Sequence, residues 1–185
     1  MRKLIFAINL TLDGCCDHTK LGTSDEIYEY YSHLMRDVDL FVYGRKTYQL
    51  MVPFWPDVAK NHLGQTEAMN EFARVFDSKN ILVFSQSLAG DEGPKTRIVH
   101  TKLEDEILRL KQAPGKDILT GGVSIPSQLI ELGLVDEFRV VVQPIIAGEG
   151  RRLLTDLSLP ERLQLGLVES KVFASGFVAL HYRQQ

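Results

Sequence analysis

Residues 117–133 read DILTGGVSIPSQLIELG, which predicts a short buried strand, a double-glycine turn and a helix. Ser124 is placed to cap this helix, Pro126 lies in its first turn, and Gly133 ends it. Two adjacent glycines let the backbone approach a bulky ligand, and the free N–H groups at the helix start favour an anion. The stretch therefore predicts a phosphate site at Gly121-Gly122. The alternative is a tight turn without a ligand, because the full spacing of a dinucleotide fingerprint is absent.

The composition is ordinary for a soluble globular protein, with 185 residues of which 44% are hydrophobic and 24% charged. We expect a single domain that spans residues 1–185. The formal net charge of -3 gives no overall attraction to nucleic acid or to an anionic membrane, so neither is an expected partner. No apolar run approaches the roughly 20 residues that span a bilayer, and we expect a cytoplasmic protein.

The two cysteines, Cys15 and Cys16, are adjacent in the sequence. Neighbouring cysteines disfavour an ordinary structural disulfide and do not match the Cys-x-x-Cys spacing of a zinc site. We therefore expect two reduced thiols and predict no metal site.

Strand-like and helix-like segments alternate along the chain. Helices are expected after the capping-box pattern at residues 23–26 and around residues 64–76, whereas residues 51–56, which include Trp55, are expected to form a loop. Strands are expected at residues 3–12, 40–43, 80–84, 96–100, 117–120, 137–145, 163–173 and 175–183. The last two form a hairpin near Ser175-Gly176. This order predicts an α/β fold, a three-layer αβα sandwich with a mainly parallel sheet and an antiparallel C-terminal edge hairpin.

Three predicted strands end in polar turns that suit a phosphate, at residues 44–47, 85–87 and 121–124. The carboxyl ends of parallel strands lie along one edge of a sheet, where open α/β sheets bind their ligands. The coincidence favours a dinucleotide. Arg45, Lys46 and Ser85 are suited to an additional phosphate, which distinguishes NADP from NAD. The alternative for the segment with Arg45 and Lys46 is a solvated basic turn.

Six short motifs occur in order along the chain: NLTLDG at 9–14, GRKTY at 44–48, FWP at 54–56, NILVFSQ at 80–86, TGG at 120–122, and VQPIIAGEG at 142–150. At these motifs the sequence resembles the dihydrofolate reductase-like family, and within it the C-terminal reductase domain of the riboflavin-biosynthesis deaminase-reductases and their stand-alone relatives. The resemblance spans nearly the whole chain. It implies an NADPH-dependent oxidoreductase.

The resemblance also implies roles for individual residues. Those on the 2′-phosphate side of NADPH are Gly44, Arg45, Lys46, Thr47, Ser85 and Gln86. Those on the pyrophosphate side are Gly121, Gly122, Val123, Ser124 and Ile125. Ala7 in the first strand is expected to contact the nicotinamide through its backbone. Asp13 is a candidate for substrate contact or proton delivery, and its alternative role is to form a turn.

The implied reaction is hydride transfer to a C=N or C=O carbon of a small heterocyclic substrate, as in 5-amino-6-(5-phosphoribosylamino)uracil reduction. Lys20, Arg151 and Arg152 are the cations available for a substrate phosphate, although Arg151-Arg152 is also typical of a solvated pair. The alternatives are a pterin reductase of the dihydrofolate reductase type, a non-catalytic NADP-binding protein, and a sugar-phosphate or nucleotide transferase. Relatives commonly pair as dimers, so we expect a homodimer in which the apolar late strands supply the interface.

Overall fold

The computed structural model of the chain describes residues 1–88, 93–155 and 157–185. The strands over these residues are β1 (Leu4–Thr11), β2 (Val38–Gly44), β3 (Asn80–Phe84), β4 (Thr96–Val99), β5 (Asp117–Thr120), β6 (Glu137–Gln143), β7 (Leu165–Val172) and β8 (Val178–Gln184). The helices are α1 (Asp25–Arg36), α2 (Arg45–Met51), α3 (Phe54–Asn61), α4 (Glu67–Asp77), α5 (Leu103–Gln112) and α6 (Ser124–Glu131).

The chain forms two compact units. Unit 1 consists of Met1–Arg2 and Thr23–Leu119, and unit 2 consists of Lys3–Gly22 and Thr120–Gln185. The single domain over residues 1–185 stays a prediction.

Unit 1 contains the parallel strands that precede the double-glycine turn. Their order is β4-β3-β2-β5, and β3 runs parallel to both β2 and β4. Apolar residues dominate β2 and β3, and Phe41 and Val83 are fully buried, as expected for parallel strands covered on both faces. Helix α4 packs against α1 and α3. The core of this unit therefore lies between the strands and an aromatic helical layer.

Unit 2 carries the antiparallel edge. The strand order is β1-β6-β8-β7, with β6 parallel to β1 and β8 antiparallel to both β6 and β7. Gly176 turns the hairpin with φ of +82°, a conformation that favours glycine, and its N–H donates to the carbonyl of Phe173. The predicted α/β class, with a mainly parallel sheet, flanking helices and an antiparallel C-terminal hairpin, is confirmed.

The expected loop at residues 51–56 is wrong, because Trp55 lies in helix α3. Its ring centroid is 4.5 Å from that of Phe72 and 6.0 Å from that of Tyr28. Pro53 occupies the cap position of α3 and Pro56 lies in its first turn. A missing N–H removes no intrahelical hydrogen bond at these positions, so the two prolines are compatible with a helix start.

Two helix starts differ from the prediction. Ser24 occupies the cap position of α1 in extended backbone geometry, but its hydroxyl makes no capping hydrogen bond. Helix α6 is preceded by Val123 at the cap position, so Ser124 is the first helical residue and does not cap the helix. A side-chain cap occurs instead at α4, where the Thr66 hydroxyl accepts from the N–H of Met69 at 3.2 Å.

A buried carboxylate organises the polar side of unit 2. Glu137 lies 2.8 Å from Lys3 Nζ, 2.9 Å from His181 Nε2, and 3.1 Å from both Arg139 Nη2 and Arg183 Nε. Burial raises the pKa of this carboxyl, but the hydrogen bonds from Lys3 and Arg139 outweigh that effect and bring the pKa to about 2. Glu137 therefore stays ionised and joins β8 to the start of β1.

Two simpler expectations concern the thiols and the membrane. Cys15 and Cys16 are both free, as predicted. Among the helices of the described residues, none is long and apolar enough to cross a bilayer.

Replacing Phe76 with alanine should lower the free energy of unfolding by about 3–5 kcal/mol, the range for removing a buried phenylalanine ring. Phe76 is 1% exposed, and its ring centroid lies 5.0 Å from that of Phe41. The matched control is Phe54→Ala, because the Phe54 side chain is 50% exposed. Urea unfolding of the two variants checks the prediction, and equal losses would contradict the assigned core.

Candidate functional site

The ends of β2 and β3 bring two predicted phosphate turns together in unit 1. The strands are parallel and Gly44 pairs with Phe84, so residues 44–47 and 85–86 leave the same edge side by side. The structure therefore groups all six residues predicted on the 2′-phosphate side: Gly44, Arg45, Lys46, Thr47, Ser85 and Gln86.

Ser85 shapes the second of these turns. Its side chain is buried, and its hydroxyl oxygen accepts from the N–H groups of Ser87 at 3.2 Å and Leu88 at 3.0 Å. A hydroxyl retains one O–H donor when its oxygen accepts. The two hydrogen bonds thus hold the turn in place and leave the Ser85 O–H as its remaining donor. Gln86 follows it and is exposed.

Arg45 and Lys46 open helix α2 as exposed cations. Tyr48, one turn further, is buried and fixes the helix against the core. Within the described part of the chain, neither Arg45 nor Lys46 forms an ion pair, while Arg36, Arg74, Arg97 and Arg109 all do. Two unpaired cations beside a serine hydroxyl form a surface that can bind a phosphate group.

The double-glycine turn lies in unit 2. Gly122 has φ of +84°, which favours glycine, and helix α6 starts directly after Val123. The first N–H groups of a helix have no intrahelical partner, and here Pro126 contributes none. The N–H groups of Ser124 and Ile125, with the exposed Ser124 hydroxyl, are the donors that this turn offers. The geometry fits the anion site that the sequence predicts there.

Ala7 lies in the middle of β1, where it pairs with Arg139 of β6 and is buried. Its predicted contact with a nicotinamide stays a prediction.

Asp13 follows β1 and is held by several donors. Its carboxylate accepts from the Thr11 hydroxyl at 2.6 Å and from the N–H groups of Ala147 and Gly148, both at 3.0 Å. The Thr11 hydroxyl, together with these N–H groups, holds the pKa of Asp13 well below its usual range. Arg152 donates to the Asp13 carbonyl and lies 3.4 Å from its carboxylate. These contacts favour the turn-forming role over proton delivery.

Two of the three cations offered for a substrate phosphate are paired within unit 2. Lys20 Nζ lies 2.6 Å from Glu149 Oε1, and Arg152 contacts Asp13. Arg151 is exposed, and its carbonyl accepts from the N–H of Cys16 at 2.8 Å.

Gln143 is a functional candidate that the sequence analysis missed. It is fully buried at the end of β6, opposite Thr11 of β1. Its side-chain carbonyl accepts from the N–H of Gly22 at 2.8 Å, and its amide group donates to the Gly22 carbonyl at 3.0 Å. The available signal was a glutamine within an apolar strand, directly before Pro144. Gln143 positions the segment that follows β1.

Comparisons with known sequences give matches over nearly the whole chain. A family model described as the RibD C-terminal domain matches residues 2–179. The uncharacterized protein YyaP of Bacillus subtilis (strain 168) is 33% identical over 186 residues, which cover 98% of this chain and 94% of that protein.

Solved structures share the fold. A putative riboflavin biosynthesis protein from Shewanella sp. PV-4 has a TM-score of 0.72 and 22% identity, over 100% of this chain and 99% of that chain. Dihydrofolate reductase from Enterococcus faecalis, solved with NADP(H), has a TM-score of 0.66 and 12% identity, over 99% of this chain and 96% of that chain. The fold is therefore dihydrofolate reductase-like, as the sequence motifs predicted.

Replacing Asp13 with asparagine should lower the free energy of unfolding at neutral pH and have a diminishing effect in acid. A carboxyl whose pKa is lower in the folded than in the unfolded state stabilises the protein fully at pH values above the unfolded-state pKa of about 3.9. This contribution declines as the pH falls below that value. Urea unfolding at pH 7, 5 and 3 checks the expectation. Asp105→Asn, an exposed carboxylate on α5, is the control. An Asp13→Asn effect of equal size at pH 7 and pH 3 would contradict the assigned contacts.

Proposed function

Because the chain belongs to the RibD C-terminal domain family, we propose that it is an NADPH-dependent reductase. It transfers a hydride to a C=N or C=O carbon of a small heterocycle, either 5-amino-6-(5-phosphoribosylamino)uracil or a related compound such as a pterin. The observation that carries the proposal is the pair of unpaired cations, Arg45 and Lys46, beside the Ser85 hydroxyl at the ends of neighbouring parallel strands.

The 2′-phosphate of NADPH binds at this edge of unit 1. Arg45 supplies a planar guanidinium that donates to two phosphate oxygens, Lys46 adds a second positive charge, and Ser85 donates its hydroxyl proton. NADH lacks this phosphate, so the three contacts select NADPH.

The pyrophosphate binds at the double-glycine turn of unit 2. The N–H groups of Ser124 and Ile125 face outward at the start of α6, and the absence of side chains at Gly121-Gly122 permits close approach. When bound, NADPH supplies the hydride.

The reduced substrate also needs one proton, which its nitrogen or oxygen receives after the hydride reaches carbon. Asp13 is ionised and its carboxylate already accepts hydrogen bonds from three groups, so it is a poor proton donor. We take the proton to come from solvent water. The same observation supports the second candidate, a non-catalytic NADP-binding protein, which binds NADPH and oxidises none of it.

Replacing Arg45 with alanine should raise the dissociation constant for NADPH about ten-fold or more, because a hydrogen bond to a charged group contributes about 1.5–3 kcal/mol. Affinity for NADH should change less than two-fold. Fluorescence titration of the bound nicotinamide measures both constants. Arg162→Ala, an exposed arginine of unit 2, is the matched control.

Equal losses of NADPH and NADH affinity in Arg45→Ala would count against the phosphate site, and no binding of either nucleotide would exclude both candidates. Oxidation of bound NADPH, followed at its absorbance band with aminouracil and pterin compounds, separates the reductase from the non-catalytic protein.

We also propose that the chain forms a homodimer through one face of its C-terminal hairpin. Cross-strand pairing places Leu167 opposite Tyr182 and Val172 opposite Val178, with Leu180 between them on the same face of β8. Leu167 is 58% exposed and Val172 is 74% exposed. An apolar sheet face of this kind is typical of an interaction surface.

The double variant Leu167→Asp with Val172→Asp should sediment as a monomer where the parent chain sediments as a dimer, because it places charge in an apolar contact. Lys171→Asp is the control, since Lys171 pairs with Ala179 on the opposite face of the same hairpin. A parent chain that sediments as a monomer, or a double variant that stays dimeric, would contradict the proposed interface.

A further inference from the structure

We propose that the substrate is a heterocycle without a phosphate group; this rests on the proposed function and narrows its choice of substrate. The inference comes from two segments of unit 2, residues 12–22 and 144–152, which are called the rim segments below. They follow β1 and β6, parallel strands that end side by side with Thr11 opposite Gln143. The carboxyl ends of parallel strands are where α/β folds bind their ligands.

The rim segments are tied to each other by hydrogen bonds. The N–H of Leu12 donates to the carbonyl of Ile145 at 2.8 Å, and the N–H of Cys16 donates to that of Arg151 at 2.8 Å. Cys15 and Arg152 form an antiparallel bridge, and Gln143 holds Gly22. The backbone positions from which the charged side chains of the two segments extend are therefore held together.

Within the described residues, the charges of the rim segments balance. The acids are Asp13, Asp17 and Glu149, and the cations are Lys20, Arg151 and Arg152, which gives three of each with His18 neutral. The net charge of the rim segments therefore differs from that of the turn at residues 44–47, which contains two cations and no acidic residue.

Geometry reinforces the balance. Arg152 lies beside a carboxylate that Ala147 and Gly148 hold in place, and Lys20 lies beside Glu149. An exposed ion pair contributes little to stability, but its carboxylate remains next to the cation. A phosphate dianion that approached Lys20 or Arg152 would meet Glu149 or Asp13 at close range, and like charges repel.

The rim segments also expose apolar surface. Leu12 is 67% exposed and Ile146 is 74% exposed. The N–H of Leu12 donates to the carbonyl of Ile145, so the backbone at Leu12 lies beside the backbone directly before Ile146. A flat, uncharged heterocycle gains by covering such a surface, because apolar area leaves water.

The test compares matched compounds that differ by one phosphate. One pair is ribosylaminouracil and its 5′-phosphate, and the other is a dihydropterin with a polyol side chain and the phosphate ester of that compound. The full chain is saturated with NADP⁺, and the dissociation constant of each compound is measured by calorimetry. We expect the phosphate-free member of at least one pair to bind three-fold or more tightly than its ester.

The inference is overturned if an ester binds as tightly as its phosphate-free partner in both pairs, or if no phosphate-free compound binds to a chain that binds NADP⁺. Failure of the proposed function is distinct, because it appears earlier as the absence of NADPH binding in the nucleotide titration.

Two variants and one control examine the charge balance directly. Glu149→Gln removes the acid beside Lys20 and should raise affinity for the esters about ten-fold, whereas Glu161→Gln, an exposed acid outside the rim segments, should leave it unchanged. Lys20→Ala should leave the ratio of ester to phosphate-free affinity within two-fold. A ten-fold loss of ester affinity in Lys20→Ala would show that Lys20 already receives a substrate phosphate and would overturn the inference.

Discussion

Where parallel strands end, their backbone groups lose the partners that the sheet provided, and this chain supplies side chains in their place. Ser85, which follows β3, accepts hydrogen bonds from two backbone N–H groups. Asp13, which follows β1, accepts hydrogen bonds from the N–H groups of Ala147 and Gly148. Gln143 offers both a carbonyl and an amide to Gly22, as a neighbouring strand would. Backbone groups that lose their partners where water is partly excluded are costly, so these few side chains help to determine where the loops after these strands lie.

The same arrangement separates two kinds of polar surface. In unit 1 the Ser85 oxygen accepts from the N–H groups of its own turn, and neither Arg45 nor Lys46 forms an ion pair among the described residues. In unit 2 Asp13, which accepts backbone N–H groups, also pairs with Arg152, and Glu149 pairs with Lys20. Unit 1 thus presents two cations outside ion pairs at the start of α2, while unit 2 presents exposed apolar side chains beside paired charges.

The sequence was most informative where structure depends on local chemistry. The strands, the double-glycine turn and the hairpin at Gly176 were predicted correctly. Strands show in the pattern of neighbouring apolar residues, and turns with positive φ show in the glycines that favour them. Helix α3 was missed because prolines at 53 and 56 suggest a loop unless the helix start is known to fall between them. The partner of Gln143 and the long-range contacts of Asp13 were out of reach, since Gly22 lies 121 residues from Gln143 and Ala147 lies 134 residues from Asp13. The adjacency of residues 44–47 and 85–86 was predicted, because it needs only parallel pairing of two strands.

The position of Trp55 confines most of the chain's intrinsic fluorescence to one of its two units. Unit 1 holds the single tryptophan and five of the six tyrosines, and Tyr182 is the one remaining in unit 2. The indole packs on Phe72 and Tyr28, so its emission and its near-ultraviolet circular dichroism depend on the helical layer of unit 1. Unit 2, with its hairpin and rim segments, contributes little to tryptophan emission or to near-ultraviolet circular dichroism. Intrinsic fluorescence therefore follows one half of the molecule, and a change confined to the other half leaves the spectrum nearly unaltered.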